Sequence, residues 1–121
     1  MTELGQETKM PNSISVATLR ELLAGPAPPI VLDVRRQQAF TDDPNIIPGA
    51  LRRLPESVDS WAAELPPGCH VVAYCVHGHQ VSQGVSAHLE QLGIDAHFLE
   101  GGIEQWKNDG GSTLKGSAGS E

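Results

Sequence analysis

Two short runs constrain what this chain can fold into. Ile30-Val31-Leu32-Asp33-Val34 and His70-Val71-Val72-Ala73-Tyr74 are nearly unbroken stretches of β-formers. They lack the strict apolar–polar alternation of a strand with one wet face. Strands of that kind are buried on both sides, as in parallel sheets covered by helices. Helical patterns lie around them. Ser15 is a good N-cap for Val16 to Ala24, where Leu19, Leu22 and Leu23 form an apolar stripe that Gly25-Pro26 ends. Arg35 to Asp43 is polar and predicts a helical turn through Phe40, and Ile46 to Leu51 predicts a turn and a short strand. Ser57 caps a helix from Val58 to Leu65, stopped by Pro66-Pro67. Val81, Val85, Leu89 and Leu92 recur at helical spacing before the stop at Gly93. Ala96 to Leu99 is a further strand, and Gly101-Gly102 opens a short helix, Ile103 to Asn108, with Trp106 facing inward. Strands alternating with helices predict an α/β fold with a parallel sheet covered on both faces.

A chain of 121 residues makes one domain with one real core. Residues 1–12 are polar and without periodicity, and are expected to be mobile. Residues 110–121 read as a Gly/Ser-rich disordered tail, which leaves 13–109 as the domain. The net charge of −7 argues against nucleic acid and anionic membrane surfaces as partners. No apolar run approaches the ~18 residues of a membrane span, and Met1 to Asn12 has neither the basic nor the apolar part of a secretory signal. A cytoplasmic, reducing location is the expectation, one in which thiols stay free.

The two cysteines, Cys69 and Cys75, are therefore of interest as thiols. On one strand they stand about 20 Å apart at ~3.3 Å per residue, beyond the reach of a disulfide. Cys69 follows Pro66-Pro67-Gly68 and enters the strand, and reads as structural. Cys75 ends the strand. The loop Val76-His77-Gly78-His79-Gln80 and a helix beginning near Val81 follow it. A group at that position faces the N–H groups of a helix N-terminus, which favour an anion, and a thiolate is the nucleophilic form of cysteine. The alternative is a core cysteine, since free Cys is among the most buried residue types. Open parallel sheets bind ligands outside the carboxyl ends of their strands, and both Asp33 and Cys75 lie at such ends. As zinc ligands, Cys75, His77 and His79 are too closely spaced and have no nearby carboxylate.

Four stretches, in order, carry a resemblance to a single rhodanese domain, the sulfurtransferase module. Val31-Leu32-Asp33-Val34-Arg35 with Phe40 resembles the family's "LDVR…(F/Y)" segment, and Ile47-Pro48-Gly49-Ala50 its "IPGA". Tyr74-Cys75-Val76-His77-Gly78-His79-Gln80 resembles its "(Y)CxxGxR" loop, and Leu99-Glu100-Gly101-Gly102 with Trp106 its "L.GG…W" segment. The His-Gly-His loop is also similar to that of rhodanese-like domains associated with chromate resistance. The resemblance implies a three-layer α/β fold, with a central, mainly parallel five-stranded sheet and helices on both faces. It also implies a cysteine that takes a sulfane sulfur as a persulfide and passes it to a thiophilic acceptor, without metal or cofactor.

Carried onto this chain, the resemblance makes Cys75 the nucleophile and Val76, His77, Gly78, His79, Gln80 and Val81 the persulfide cradle. Loop N–H groups can form an anion nest without charged side chains, and Gly78 allows close approach to the sulfur and a positive φ. The family's frequent loop arginine is Gln80 here, leaving His77 and His79 as the loop's ionisable groups. Asp33 and Arg35 are supporting residues. Asp33 either accepts from loop N–H groups or caps its strand end. Arg35 lacks the acidic residue usual before the aromatic, here Ala39, and with Arg52 and Arg53 is a candidate for donor recognition. Trp61 and Trp106 read as core, and His70, His88 and His97 as surface or packing residues. In the related phosphatase branch an arginine clamps the oxyanion six residues after the cysteine, and that position is Val81. The expected function is transfer of a sulfane sulfur from thiosulfate, a persulfide or a polysulfide to cyanide, a thiol or a protein acceptor. The alternative is a non-catalytic sulfur-carrier or redox-sensing module.

Overall fold

The computed structural model describes residues 12–115. Five strands form one sheet: β1 (Ser13–Ile14), β2 (Ile30–Asp33), β4 (Leu51–Arg52), β5 (His70–Tyr74) and β6 (Asp95–Leu99), in the order β1-β6-β5-β2-β4. Every pairing in it is parallel, and β5 is the centre, with Val31 opposite Val72 and Asp33 opposite Tyr74.

Successive strand residues point to opposite faces, so each doubly buried strand feeds two cores. Val31, Val72 and Tyr74 pack on one face with Val16 and Leu19 of α1 (Val16–Ala24) and Ile103 and Trp106 of α5 (Gly102–Asn108). Leu32, Val71 and Ala73 pack on the other with Trp61 of α3 (Val58–Ala62) and Val85 and Leu89 of α4 (Gln80–Gln91). These are the three expected layers. Ser15 caps α1 as its sequence predicts, its hydroxyl accepting from the Thr18 N–H at 3.1 Å. The polar stretch after β2 forms α2 (Gln37–Asp42), and a 3₁₀ turn at Pro55–Ser57 leads into α3.

Three features depart from the sequence reading. β1 is two residues long, too short to show a period. In α4 the predicted Val85 and Leu89 are buried and Val81 packs against the core, but Ser82 and Ser86 share the buried stripe and Leu92 is half exposed. The tail expected to be disordered from residue 110 is held as far as Lys115. Trp106 donates its indole N–H to the Ser112 carbonyl at 2.7 Å, and Gly111 N–H donates to the Trp106 carbonyl at 2.8 Å. Then β7 (Leu114–Lys115) pairs antiparallel with β3 (Asn45–Ile46). A buried indole N–H needs an acceptor, and Gly111 fits there because a Cβ would lie 2.4 Å from the Trp106 ring. Residues 1–11 and 116–121, the rest of the two segments expected to be mobile, lie outside the described residues.

Candidate active site

Cys75 follows the central strand at its carboxyl end, the edge where Brändén's rule puts ligands, and is buried. The backbone around it is fixed from below. Its carbonyl accepts from Ile103 N–H at 3.0 Å and the Val76 carbonyl from Glu104 N–H at 3.1 Å, so the first turn of α5 braces the loop. Gly102 allows this contact, because a Cβ there would stand 2.4 Å from both carbonyl oxygens. Gly78 takes φ +76°, as expected, but its close approach is not to the sulfur. A Cβ on Gly78 would meet the Leu99 carbonyl oxygen at 2.7 Å and Gly101 N at 2.8 Å. The glycines of the "GHQ" loop and of Gly101-Gly102 thus serve one contact, the packing of two backbone segments beneath the cysteine.

Among the described residues, no acceptor meets the backbone N–H groups of residues 76 to 82. The last three are the donors that a helix start leaves without an intrahelical partner, and successive free amides in a turn that opens a helix make an anion-binding concavity. The Cys75 sulfur lies 3.1 Å from the Ser82 hydroxyl, which is itself fully buried. Sequence reasoning missed Ser82. The available signal was a pair of serines, Ser82 and Ser86, on the same helical face as Val85 and Leu89.

A cavity of about 550 Å³ opens above the cysteine. Its walls come from Cys75, Val76, His77, His79, Gln80 and Val81 on one side and from Arg35, Arg36 and Ala39 on the other. Gly78 is the one residue of the expected cradle that does not reach it. His77 and His79 are exposed, with their rings 5.8 Å apart. No Asp or Glu lines this cavity, although the chain carries a net charge of −7. Among the described residues, no group of His, Cys, Asp and Glu side chains is placed to hold a metal ion.

Asp33 and Arg35 support the site from within the fold. Asp33 accepts from no amide of the Cys75 loop and instead caps its own strand end, Oδ1 accepting from the Arg35 backbone N–H at 3.1 Å. Both its oxygens accept from Arg35 Nε, at 3.0 and 3.1 Å, and Oδ2 also accepts from Arg35 Nη2 at 2.6 Å and from the Tyr74 hydroxyl at 3.0 Å. Arg35 therefore does not lack an acidic partner. Asp33 replaces the one absent at Ala39, and the Asp43 and Asn45 carbonyls take further guanidinium N–H groups at 2.7 and 2.9 Å. Burial opposes the Arg35 charge, but the Asp33 carboxylate outweighs it and raises the guanidinium above its ordinary range. Burial, reinforced by Asp33, likewise pushes the Tyr74 phenol far up, so it stays a neutral donor. The phenol oxygen accepts from Ile47 N–H at 3.1 Å, which ties the Ile47-Pro48-Gly49-Ala50 turn to β5.

The other sequence candidates lie elsewhere. Arg52 and Arg53 donate to backbone carbonyls and do not line the cavity, and Arg52 stacks on the Phe40 ring at 4.6 Å. Arg36, which the sequence reading passed over, is exposed and lines the cavity. Trp61 is core, donating to the Leu54 carbonyl. His70 and His88 pair with Asp95 and Asp59 on the surface. Cys69 is half-buried against the core and, like Cys75, unbridged.

The family model described as Rhodanese-like domain matches residues 15–109. No match is found among curated proteins. Several solved structures are similar. A rhodanese-related protein from Thermoplasma volcanium superposes with a TM-score of 0.73 at 25% identity, over 85% of this chain and 97% of that one. A rhodanese-like domain protein from Staphylococcus aureus gives 0.72 at 26% identity, over 84% and 96%. A thiosulfate sulfurtransferase from Pseudomonas aeruginosa gives 0.72 at 25% identity, over 87% of this chain but 19% of that longer one.

Proposed function

Because this chain belongs to the rhodanese-like domain family, we propose that it is a sulfurtransferase that works through a Cys75 persulfide. The observation that carries this reading is the setting of the thiol. Cys75 lines a cavity without carboxylates, at the head of a run of unpaired amides and 3.1 Å from a buried hydroxyl. In the first half-reaction the Cys75 thiolate attacks the outer, sulfane sulfur of the donor. The donor's S–S bond breaks and its electron pair leaves with sulfite, when the donor is thiosulfate, or with a thiolate. The negative outer sulfur of the new persulfide is matched by the free amides, which need no charged side chain for the task. In the second half-reaction cyanide or a thiol attacks that outer sulfur and the Cys75 thiolate departs, a ping-pong cycle with a covalent intermediate. A reducing, cytoplasmic setting suits it, since both thiols are free. No helix among the described residues is long and apolar enough to cross a membrane.

The test is intact-mass analysis after mixing with thiosulfate or a polysulfide. The wild type and Cys69→Ser should each gain one sulfur and lose it to cyanide or a thiol, while Cys75→Ser should gain none. A Cys75→Ser protein that still carries the sulfur would overturn the assignment. Sulfur that loads on Cys75 but leaves only for a protein acceptor would make the chain a carrier.

A further inference from the structure

The cavity over Cys75 is much larger than the sulfur it would receive. About 550 Å³ lies in the range of sites that enclose organic molecules, and inorganic thiosulfate would fill only a corner of it. Its lining is divided. The loop side offers amides, two histidines and the apolar side chains of Val76 and Val81, with no permanent charge. The opposite side offers two guanidinium groups from the turn between β2 and α2, and Ala39 from α2 itself.

Those two adjacent arginines differ completely. Arg35 is 1% exposed and committed to Asp33 and two carbonyls. Arg36 is exposed, and its guanidinium has no partner among the described residues. The other described cations with partners are engaged away from the cavity: Arg20 with the Asp109 carbonyl, Arg52 and Arg53 with backbone carbonyls, and Lys107 with Asp43 and Glu104. Arg36 also borders a neighbouring depression of about 350 Å³ that shares Val81 and does contain a carboxylate, Glu56. The cavity over Cys75 contains none.

We infer that Arg36 is the specificity-determining residue for the sulfur donor, and that the donor is an organic persulfide of low molecular mass bearing a carboxylate. The inference rests on the sulfur-transfer reading of Cys75. The donor's outer sulfur lies over the thiol, its organic body crosses the apolar patch of Val76, Val81 and Ala39, and its carboxylate meets the guanidinium. A free guanidinium fork matches a carboxylate with two parallel hydrogen bonds. Because Arg36 stands on a different element from the loop, it reads charge carried away from the reacting sulfur, as on an organic body. The step balances without further reagents. The Cys75 thiolate attacks the outer sulfur of R–S–SH, the bond between the donor's sulfurs breaks, and its electron pair leaves on R–S⁻. The outer proton goes with the transferred sulfur or passes to the released thiolate.

The experiment compares the persulfide of 3-mercaptopropionate with that of its methyl ester, with thiosulfate as a third donor. Sulfur is transferred to cyanide by the full chain. The quantity read is the ratio of kcat/KM for the carboxylate to that for the ester. Arg36→Gln should lower this ratio about tenfold, mainly through KM. Arg36→Glu should lower it further, and Arg36→Lys should restore part of it. A ratio that does not move, or a larger loss for thiosulfate than for the carboxylate persulfide, overturns the inference. If the wild type forms no Cys75 persulfide with any donor, the sulfur-transfer reading itself fails. Persulfide formation that ignores Arg36 removes only the anchor.

Discussion

The Cys75 sulfur and the Ser82 hydroxyl lie 3.1 Å apart, joined across the turn from β5 to α4, with Ser82 fully buried and Cys75 at the floor of the cavity. When Cys75 is a thiolate, the hydroxyl can only donate to it. It then both lowers the energy of the anion and fixes the sulfur's direction. A hydrogen bond to a charged group is worth about 1.5–3 kcal/mol, and about 1.4 kcal/mol is a factor of ten in rate. Ser82→Ala should therefore slow loading of Cys75 by tenfold or more (an order-of-magnitude expectation from the same values), read as single-turnover sulfur gain by mass. The urea midpoint should stay close to wild type, because the change removes one small hydroxyl whose partner is the Cys75 sulfur. Unchanged loading would mean that the contact is packing only.

The glycines around the site should differ sharply in what they tolerate. Gly78→Ala forces a side chain into φ +76° and against the Leu99 carbonyl oxygen, and Gly102→Ala drives a methyl into the Cys75 and Val76 carbonyls. Left-handed backbone alone costs roughly 1–2 kcal/mol, and backbone oxygens cannot swing away as a flexible side chain can. Both variants should be destabilised by more than about 2 kcal/mol and should load sulfur poorly. Gly84, in α4, has nothing within 4 Å of its would-be Cβ. Gly84→Ala should raise stability by about 0.5–1 kcal/mol, since glycine costs that much in a helix interior. Denaturant midpoints of the three variants check the order.

Much of this was legible in the sequence. Doubly buried strands announce themselves by unbroken β-formers, and Ser15, Gly25 and Gly93 bound their helices by local chemistry that tertiary contacts do not alter. Cys75 stood out because a strand end, a glycine loop and a helix start follow each other in the chain. The residues that were missed depend on directions in space. Arg35 and Arg36 look alike in sequence, but one turns into the fold toward Asp33 and the other out to the cavity rim. Ser82 is polar and reads as a surface position until the helix is rotated against the end of β5. The order of residues 110–115 follows from the need of one indole N–H for an acceptor, which composition cannot reveal.

Acid should loosen the join between α2 and α5. The Lys107 ammonium donates to Asp43 Oδ2 at 2.9 Å and, despite some burial, holds the Asp43 carboxyl below its ordinary value of 3.8. The same hydrogen bond raises Lys107 above 10.5. A depressed acid stabilises the folded state above its unfolded pKa and loses that contribution as pH falls through the folded one. The raised base loses its share only as pH climbs through its own folded value. Asp43→Asn should thus lower the urea midpoint modestly near pH 7, where a half-exposed pair is worth less than about 1 kcal/mol. The difference between variant and wild type should shrink as the pH falls below 3.8 and close once Asp43 is protonated in the folded state too. A gap that persists in acid would assign the effect to the Asn45 contacts of Asp43 instead.

The heaviest penalty should come from splitting Asp33 and Arg35. Both are buried, at 0% and 1% exposure, and joined at 2.6 Å. Asp33→Ala would leave a guanidinium enclosed without its counter-charge, and the Tyr74 hydroxyl without its acceptor. Breaking a buried pair from one side costs about 3–5 kcal/mol. Arg35→Met would orphan the Asp33 carboxylate together with the Asp43 and Asn45 carbonyls, and should cost as much. The double variant should be less damaged than the two losses added, because neither charge then remains alone, with a coupling of 0.5–3 kcal/mol or so expected for residues in contact. Urea unfolding of the two singles and the double closes the cycle. Strict additivity would show that the pair does not act as a unit. Asp33 and Arg35 would then hold β2, β5 and the Asp43–Asn45 turn by separate contacts.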